Sequence, residues 1–403
     1  MINIDNLFSN EAKRMERSAI RECLKLTQQP DIISFAGGLP SPTSFPYDDI
    51  KKISDEVIMN DGAAALQYGT TEGDNLLRDE LVKRYTEEGC KVTRDNFVIT
   101  TASQQSLDLL GKIFINPGDI IICELPSYLG GLNAFKVYGA QFIGIKPDKY
   151  GMNAEELERQ IIELKNKGKA PKFIYLIPDF QNPAGITMPV SRRKEIIAIA
   201  QKYQILVVED SPYREIRFDG EPQTMLYALD DQGLVITLGT FSKSFCPGFR
   251  LGWIIANADV LEKFVQAKQT ADLCTSAFLQ KIAGLYLHKG LFNKNIGKIV
   301  DEYRDKRNNI IRCFEKYFPK GVSWTHPEGG LFLLVTLPEY IDSDELFFKA
   351  IEKKVAFVQG YTFFCDGSGR NTMRINFSYS DKSTAEEGIK RLAEAIKEMM
   401  HNK

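Results

Sequence analysis

The chain has 403 residues, of which 43% are apolar and 26% charged, and its formal net charge is -2. This composition is typical of a globular protein with room for two or three domains. Because there is no basic excess, we expect no nucleic-acid or anionic-lipid partner. No apolar run approaches the roughly 18 residues that a membrane span needs, and the first residues lack the apolar core of a signal peptide.

The cysteines and histidines exclude several classes of enzyme. Seven cysteines are scattered without a C-x-x-C pair, which indicates free thiols in the cytoplasm. The histidines His288, His326 and His401 stand far apart, so we expect no metal site and neither a zinc hydrolase nor a Ser-His-Asp enzyme. The glycine-rich phosphate motifs G-x-x-x-x-G-K-[ST] and G-x-G-x-x-G do not occur. The chemistry must therefore rest on Lys, Asp, Tyr, Asn and Arg.

Short apolar runs alternate with amphipathic stretches through the middle of the chain. Residues 191–203 are predicted to form a helix, because their apolar side chains recur at helical spacing. Strands that alternate with helices predict an α/β fold with a mainly parallel sheet wrapped by helices. Ligands of such sheets bind at the carboxyl ends of the strands. The seven predicted strands are residues 97–100, 120–123, 141–145, 173–177, 206–208, 234–238 and 252–255.

The pattern changes in the last hundred residues or so. We expect a long charged helix over about residues 294–317, short strands around 331–337 and 373–377, and a final amphipathic helix. These elements predict a smaller α+β domain. The predicted division is an N-terminal segment that joins the small domain (1–45), a large domain (46–290) and the C-terminal small domain (291–403).

Polar side chains follow the predicted strands at their carboxyl ends. Ser103 in TASQQS opens a predicted helix, where free backbone N–H groups favour an anion, although for this stretch alone a plain helix cap is the better explanation. Tyr128 in ELPSYLGG offers an aromatic ring for stacking, and a loop framed by Pro and Gly presents Asn182 in PDFQNPAG. One such residue would be ordinary, whereas a succession of them indicates a site.

The next two strand ends carry an acid and a lysine. Asp210 and Tyr213 lie in EDSPYRE, and Lys243 lies in TFSKSFCPGFRLGW. Alone, Lys243 would be interpreted as a charged loop residue. Together with the preceding loops it fits the binding of pyridoxal 5'-phosphate. That cofactor needs an amine for its aldehyde, a carboxylate for its pyridine nitrogen, and hydroxyls, backbone amides and an arginine for its phosphate.

The motifs TFSKSFCPGFRLGW, PDFQNPAG, EDSPYRE and MRINFS together resemble the fold type I pyridoxal-phosphate aminotransferases of class I/II. The resemblance spans residues 18–377. The stretches SAIRECLKLTQQPDIISFAGGLPSPTSFP and LQYGTTEG are similar to the 2-aminoadipate/kynurenine aminotransferase branch. The implied function is a transaminase that moves an amino group from an L-amino acid (2-aminoadipate, aromatic or aliphatic) to a 2-oxo acid, with 2-oxoglutarate/glutamate as one pair, by a ping-pong mechanism.

The resemblance implies a role for each matching residue. Lys243 would be the Schiff-base lysine and the proton shuttle, and Asp210 would pair with the pyridine nitrogen. Asn182 and Tyr213 would contact the phenolic oxygen, and Tyr128 would stack on the ring. The residues expected at the phosphate are Ser103, Gln104, Thr240, Ser242 and Arg250.

The resemblance also implies how substrates and a second subunit take part. Arg374 would bind the substrate α-carboxylate, with Gly38 and Asn182 beside it. Tyr68 would reach the phosphate of a partner subunit, which implies a homodimer with shared active sites. Arg21 in SAIRECLKL would be a mobile arginine that pairs with the distal carboxylate of glutamate or 2-aminoadipate and turns away from apolar side chains.

Two residues depart from the family pattern. Gln359 stands where proline is common before Gly360, and Asp179 stands where a small or hydroxylated residue is usual. We expect Asp179 to lie close to the cofactor cleft. Either residue could shift the substrate preference without touching the core chemistry.

Two other functions are weighed against this one. The branch resembles the effector halves of regulators that carry a winged-helix domain, but fewer than forty residues precede FAGGLP. A small domain of about 70–120 residues would need more, so we expect an enzyme rather than a regulator. A lyase that performs β-elimination or decarboxylation on the same fold stays open as the alternative, because it would share the lysine, the aspartate and the phosphate cup.

Overall fold

The computed structural model describes residues 2, 4–16 and 31–401. None of the helices within these ranges is long and apolar enough to cross a membrane. The α-helices, numbered in chain order, are α1 (Asn10–Arg14), α2 (Tyr47–Ala65), α3 (Asn75–Glu87), α4 (Ala102–Phe114), α5 (Leu129–Val137), α6 (Ala154–Asn166), α7 (Val190–Tyr203), α8 (Leu226–Leu229), α9 (Ala258–Ala271), α10 (Ala277–His288), α11 (Leu291–Tyr317), α12 (Ser343–Glu352) and α13 (Lys382–His401).

Short 3-10 turns and strands complete the described elements. The 3-10 turns are Ile4–Leu7, Pro42–Ser44, Arg94–Asn96, Pro247–Phe249 and Gly360–Phe363. The strands are β1 (Ile33–Ser34), β2 (Phe97–Thr100), β3 (Ile120–Glu124), β4 (Gln141–Ile145), β5 (Pro147–Asp148), β6 (Gly151–Met152), β7 (Pro171–Leu176), β8 (Leu206–Asp210), β9 (Val235–Thr240), β10 (Gly252–Ile255), β11 (Ser323–Trp324), β12 (Phe332–Thr336), β13 (Val355–Ala356), β14 (Val358–Gln359) and β15 (Thr372–Asn376).

The central sheet has seven strands in the order β2-β10-β9-β8-β7-β3-β4. β10 runs antiparallel to both of its neighbours, and the other pairs are parallel. The mainly parallel seven-stranded sheet is therefore confirmed. Two strands of this sheet extend two residues further than predicted: β8 ends at Asp210 and β9 at Thr240. Both residues therefore lie at the edge of the sheet where ligands bind.

Helices cover both faces of this sheet, as its apolar strands require. Alternate residues of a strand point to opposite faces. Phe173 and Tyr175 of β7 pack in a core with α4, α5 and α9. Ile174 and Leu176 of the same strand pack on the other face with α6 and α7. The sheet is thus a rigid central layer, and its loops at one edge carry the polar residues.

The C-terminal residues form a second core around an antiparallel sheet of order β11-β12-β15-β14. The chain after residue 31 joins this part, because β1 pairs in parallel with β13 and Phe35 packs in the same core as Phe357 and Ile375. α11 begins at Leu291. These contacts agree with the predicted boundaries at 45 and 290, which stay predictions. Arg21 lies outside the described residues.

Candidate active site

A cavity of about 260 Å³ opens at the carboxyl edge of the central sheet. The loops after β2, β3, β8 and β9 all contribute to its lining, together with the segment after β1. Ten of the residues predicted for the site line this cavity: Gly38, Ser103, Gln104, Tyr128, Asp210, Tyr213, Thr240, Ser242, Lys243 and Arg250. The structure therefore brings together residues that lie up to 212 positions apart, from Gly38 to Arg250.

Lys243 supplies an amine to this cavity. Its Nζ donates a hydrogen bond of 2.8 Å to the backbone oxygen of Gly38. Burial lowers the pKa of Lys243 to about 8, and the positive charges of Arg374 and Arg250 add to the effect. Lys243 therefore loses its proton more easily than an ordinary lysine, and the unprotonated amine is the form that attacks a carbonyl carbon.

Asp210 presents one oxygen that has no partner. Its Oδ2 accepts a hydrogen bond of 2.7 Å from the Tyr175 hydroxyl, whereas its Oδ1 is buried without a hydrogen-bond partner among the described residues. Burial raises the pKa of Asp210 to about 6, and the Tyr175 hydrogen bond opposes the rise. A protonated ring nitrogen opposite Oδ1 would satisfy the orphaned acceptor and keep the carboxylate ionised.

Asn182 links Tyr213 to Arg374. Its Nδ2 donates to the Tyr213 hydroxyl at 3.2 Å, and its Oδ1 accepts from Nη1 of Arg374 at 2.9 Å. Asn182 and Arg374 lie just outside the residues that line the cavity. Burial, as the main cause, raises the pKa of Tyr213, so its hydroxyl is a neutral hydrogen-bond partner at physiological pH.

The Arg374 guanidinium is held between two aromatic rings. It lies 4.1 Å from the ring centroid of Phe332 and 5.0 Å from that of Phe363. Its Nη2 donates to the backbone oxygen of Ala36 at 2.8 Å. Burial lowers the pKa of Arg374 to about 10, so the group stays charged at neutral pH. The two rings and the hydrogen bonds together hold the guanidinium in place.

Hydroxyls and a helix N-terminus form a cup for an anion on the β9 side of the cavity. Ser103 is the second residue of α4, so its backbone N–H is one of the free donors at that end of the helix. Oγ1 of Thr240 lies 3.0 Å from Oγ of Ser242. A Cβ on Gly252 would lie 2.8 Å from the Ser103 backbone nitrogen, so glycine lets β10 approach this corner closely.

Two residues at the same corner have strained backbone conformations. Ala102 and Arg250 have φ values of 61° and 53°, in the left-handed region that non-glycine residues rarely adopt. Both residues line the cavity. Such strain is held at functional sites more often than elsewhere, and here it sets the helix N-terminus and the arginine beside the same space.

These features fit pyridoxal 5'-phosphate. The Lys243 amine would bind its aldehyde, and the unpaired Asp210 Oδ1 would face its ring nitrogen. The hydroxyls, the helix N-terminus and Arg250 would hold its phosphate. The partnerless oxygen of Asp210 is the strongest of these observations, because a buried carboxylate oxygen without a donor costs free energy until a ligand supplies one.

The remaining predicted residues lie elsewhere. Tyr68 is 79% exposed and does not belong to the lining of the cavity in the described chain. Arg21 is outside the described residues. Asp179 is buried, but its carboxylate pairs with Arg193 at 2.8 Å, Arg214 at 3.2 Å and Arg217 at 3.5 Å. Any effect of Asp179 on substrates would therefore be indirect.

Gln359, the second departure from the family pattern, is also buried. Its Nε2 donates to Oδ1 of Asp344 at 3.3 Å, so its side chain joins β14 to the start of α12. The turn Gly360–Phe363 follows directly and carries Phe363 against Arg374. Gln359 thus supports a segment that contacts the site without lining the cavity.

Sequence reasoning missed Tyr175, Phe332 and Phe363. Tyr175 lies within β7, Phe332 begins β12 and Phe363 follows β14. Polar residues were sought instead where the strands of the central sheet end. A signal for Tyr175 did exist, because a tyrosine in the middle of a buried strand needs a hydrogen-bond partner for its hydroxyl. The two phenylalanines carry no comparable signal, since core aromatics look alike in a sequence.

Known proteins are similar to the chain over almost its whole length. The family model Aminotransferase class I and II matches residues 32–392. Aromatic-amino-acid aminotransferase 1 of Thermococcus litoralis is 47% identical over 400 residues, which cover 99% of this chain and 96% of that protein. The 2-aminoadipate transaminase of Thermus thermophilus is 37% identical over 396 residues, which cover 98% and 97% respectively.

A solved structure agrees with these sequences. Pyrococcus horikoshii kynurenine aminotransferase, in complex with PMP, KYN as substrates and KYA as products, has a TM-score of 0.95 and 46% identity. The alignment covers 99% of this chain and 98% of that one. With the cavity, its lysine and its aspartate, the matches show that the chain belongs to the class I and II aminotransferases and is a pyridoxal-phosphate-dependent transaminase with a fold type I architecture.

Proposed function

We propose that the transaminase moves the amino group of an aromatic, aliphatic or 2-aminoadipate L-amino acid to a 2-oxo acid, with 2-oxoglutarate and glutamate as one pair. The relatives named for aromatic amino acids, 2-aminoadipate and kynurenine support this range. We also propose a ping-pong mechanism, in which both substrates use the same cavity in turn.

One observation carries the proposal. Arg374 is 2% exposed, and none of the acidic side chains in the described ranges forms an ion pair with it; its partners are Asn182 and a backbone oxygen. A buried cation without an anion is costly. A substrate α-carboxylate would supply the missing charge through a two-pronged contact.

The same arginine explains why one cavity serves two substrates. Amino acids and 2-oxo acids share an α-carboxylate, and the amino or oxo group is attached to the neighbouring carbon. An acid held on Arg374 would therefore present the same carbon toward Lys243 in both half-reactions. Because Arg250 of the lining is assigned to the phosphate, Arg374 is the arginine left for an α-carboxylate among the lining and adjacent residues described. The first product must therefore leave before the second substrate binds.

Each residue has a distinct proposed task. Bound pyridoxal 5'-phosphate supplies the electron sink for the charge that develops at the substrate α-carbon. Lys243 would attach the cofactor and, once released from it, move the proton at the α-carbon, for which a pKa near neutrality is favourable. Asp210 would keep the ring nitrogen protonated, and Asn182 and Tyr213 would hold the phenolic oxygen. Tyr128 would lie against the ring.

We further propose a homodimer that shares its active sites. Tyr68, Leu66 and Met59 are 79%, 73% and 82% exposed, and Leu39 at the cavity lining is also exposed. Large apolar side chains exposed to solvent favour a surface that binds a protein partner. Mixing Lys243→Ala and Tyr68→Ala subunits tests this, since a hybrid dimer would contain one complete site and regain activity. If the mixture stays as inactive as its parts, Tyr68 does not act across subunits.

Arg21 is proposed to read the distal carboxylate of dicarboxylic substrates, on the basis of the sequence alone. Arg21→Ala should weaken glutamate and 2-aminoadipate at least about tenfold, because one shielded ion pair is worth at least roughly 1.4 kcal/mol. Leucine and phenylalanine should change only a few-fold. Equal losses for both classes would assign Arg21 to holding its segment in place. The cytoplasmic location inferred from the scattered cysteines likewise stays a prediction.

The substrate proposal is tested by adding amino donors one at a time to the enzyme while its absorbance is recorded. Glutamate, 2-aminoadipate, phenylalanine and leucine should each convert the yellow form stoichiometrically to the pyridoxamine form. Added 2-oxoglutarate should restore the yellow form, and initial rates should give parallel double-reciprocal lines. If glutamate and 2-oxoglutarate fail in both directions, that pair is wrong even though the transaminase assignment stands.

A further inference from the structure

A buried tyrosine lies directly beside the carboxylate proposed for the ring nitrogen. β7 pairs with β8 in a register that places Tyr175 opposite Val208. Alternate residues of a strand share a face. Asp210 is two residues beyond Val208 on β8, so Tyr175 and Asp210 lie on the same side of the sheet. This register brings the Tyr175 hydroxyl to 2.7 Å from Oδ2 of Asp210.

This hydrogen bond makes the two carboxylate oxygens of Asp210 unequal. Oδ2 is occupied by the hydroxyl, whereas Oδ1 is buried and has no partner among the described residues. The terminal torsion of an aspartate is broad, so without such a donor the plane of the carboxylate would not be fixed. The Tyr175 hydroxyl removes this freedom and leaves Oδ1 as the acceptor for a ligand.

The tyrosine ring is itself held in place. Tyr175 is 0% exposed, and its ring packs edge-on against Phe135 with centroids 5.4 Å apart. A Cβ on Gly131 would lie 2.8 Å from the Tyr175 hydroxyl oxygen, so glycine at that position of α5 lets the helix cover the ring. The hydroxyl is therefore positioned by packing before any ligand binds.

We propose that Tyr175 is a positioning residue for transamination, which fixes the Asp210 carboxylate so that Oδ1 accepts the ring N–H of pyridoxal 5'-phosphate. This inference rests on the role proposed above for Asp210. The effect of Tyr175 on the pKa of Asp210 supports it. Burial raises that pKa, and the Tyr175 hydrogen bond opposes the rise. The hydroxyl thus also favours the ionised form that the ring nitrogen needs.

Tyr175→Phe tests the inference, because it keeps the ring and removes only the hydroxyl. In the holoenzyme, the half-reaction with a saturating amino acid should slow at least about tenfold, the usual loss for a hydrogen bond to a charged group. The apparent dissociation constant of the amino acid should stay within about twofold, since Arg374 is unchanged, and the cofactor should dissociate more readily. An unchanged half-reaction rate together with unchanged cofactor affinity would overturn the inference.

Tyr138→Phe is the matched control. Tyr138 also packs against a glycine, Gly111, and its hydroxyl also donates to an aspartate, Asp108, at 3.0 Å. Neither Tyr138 nor Asp108 lines the cavity. The control should therefore react at the wild-type rate, so that a loss confined to Tyr175→Phe is assigned to its place beside Asp210.

A double-variant cycle separates this inference from the role of Asp210 itself. Residues that act together have non-additive effects, so Tyr175→Phe should cost no more than about twofold further in the Asp210→Asn background. An equal loss of rate in both backgrounds overturns the inference. The same comparison applies if Tyr175→Phe lowers the thermal stability, because a purely structural loss would be equal in both backgrounds. Wild-type activity of Asp210→Asn alone would instead refute the proposed role of Asp210, and the inference with it.

Discussion

Arg374 donates a hydrogen bond of 2.9 Å to Oδ1 of Asn182, from a strand that lies 192 residues further along the chain. Nδ2 of the same amide donates to the Tyr213 hydroxyl. A single planar group therefore joins the proposed carboxylate site to the proposed phenolic-oxygen site. A carboxylate that binds Arg374 will compete for its donors, and the change will pass through one amide to Tyr213.

Arg374→Lys should raise the KM of the amino acid and of the 2-oxo acid together, by about tenfold or more. A lysine can supply neither the two-pronged contact nor the flat group that fits between Phe332 and Phe363, and a charge-assisted hydrogen bond contributes about 1.5–3 kcal/mol. Steady-state kinetics with both substrates measure the effect. Arg370→Lys is the control, since Arg370 is exposed and pairs with Asp342. Unchanged KM values for Arg374→Lys would mean that another cation binds the carboxylate.

Lys243→Ala should abolish transamination, because no other amine lines the cavity in the described part of the chain. Borohydride reduction of the wild-type holoenzyme, followed by peptide mapping, should place the label on Lys243. Lys112→Ala, at a lysine on α4 that bonds Thr270 outside the cavity, should retain full activity. A label on another lysine would contradict the assignment.

The rate at which the cofactor-free protein captures pyridoxal 5'-phosphate should rise with pH and level off above about pH 8. Burial and the neighbouring arginines lower the pKa of Lys243 to about 8, and only the unprotonated amine reacts. Below that pH the rate should fall about tenfold per unit. Stopped-flow absorbance measures the profile. A rate that still climbs steeply at about pH 10 would show that Lys243 behaves as an ordinary exposed lysine.

Glu124 should make the folded protein less stable as the pH rises from about 5 to about 8. Burial raises the pKa of Glu124 from 4.5 to about 8, so the native state holds a proton that the unfolded state releases over this range. Glu124→Gln keeps an acceptor for the Ile177 N–H, which now bonds Oε2 at 3.0 Å. The melting temperature of the variant should therefore decline less with pH than that of the wild type. Parallel declines would mean that Glu124 is ionised in the native protein.

The strands and their polar ends could be predicted because both depend on local sequence. Asp210 and Thr240 follow directly from apolar runs, and the edge rule for parallel sheets places them at one site. Arg374 was different: its strand is far along the chain and belongs to the other core, and only the family resemblance pointed to it. The sequence pattern contains no information about which strand of the second sheet faces the first.

Asp179 shows what residue type alone cannot predict. An acid beside the Asn182 loop suggested an influence on substrates, yet its carboxylate is directed to the buried Arg193 at 2.8 Å. The direction in which the Asp179 side chain points depends on the backbone conformation of its turn, and Phe180, the next residue, has a φ of 53°. Tyr175 escaped prediction for a related reason, since its contact with Asp210 depends on the register between two strands that are separated by a helix.

Gly38 limits how the substrate range of this enzyme can be redesigned. Its backbone oxygen accepts from Lys243, and a side chain added at position 38 would leave that acceptor in the chain. A Cβ at this position would lie 3.3 Å from Cζ of Phe332 and 3.9 Å from Nζ of Lys243. One added methyl group would thus displace the Phe332 ring by a few tenths of an ångström, while the Lys243 amine keeps its acceptor. A library that aims to change the substrate range should therefore vary positions 38 and 332 together.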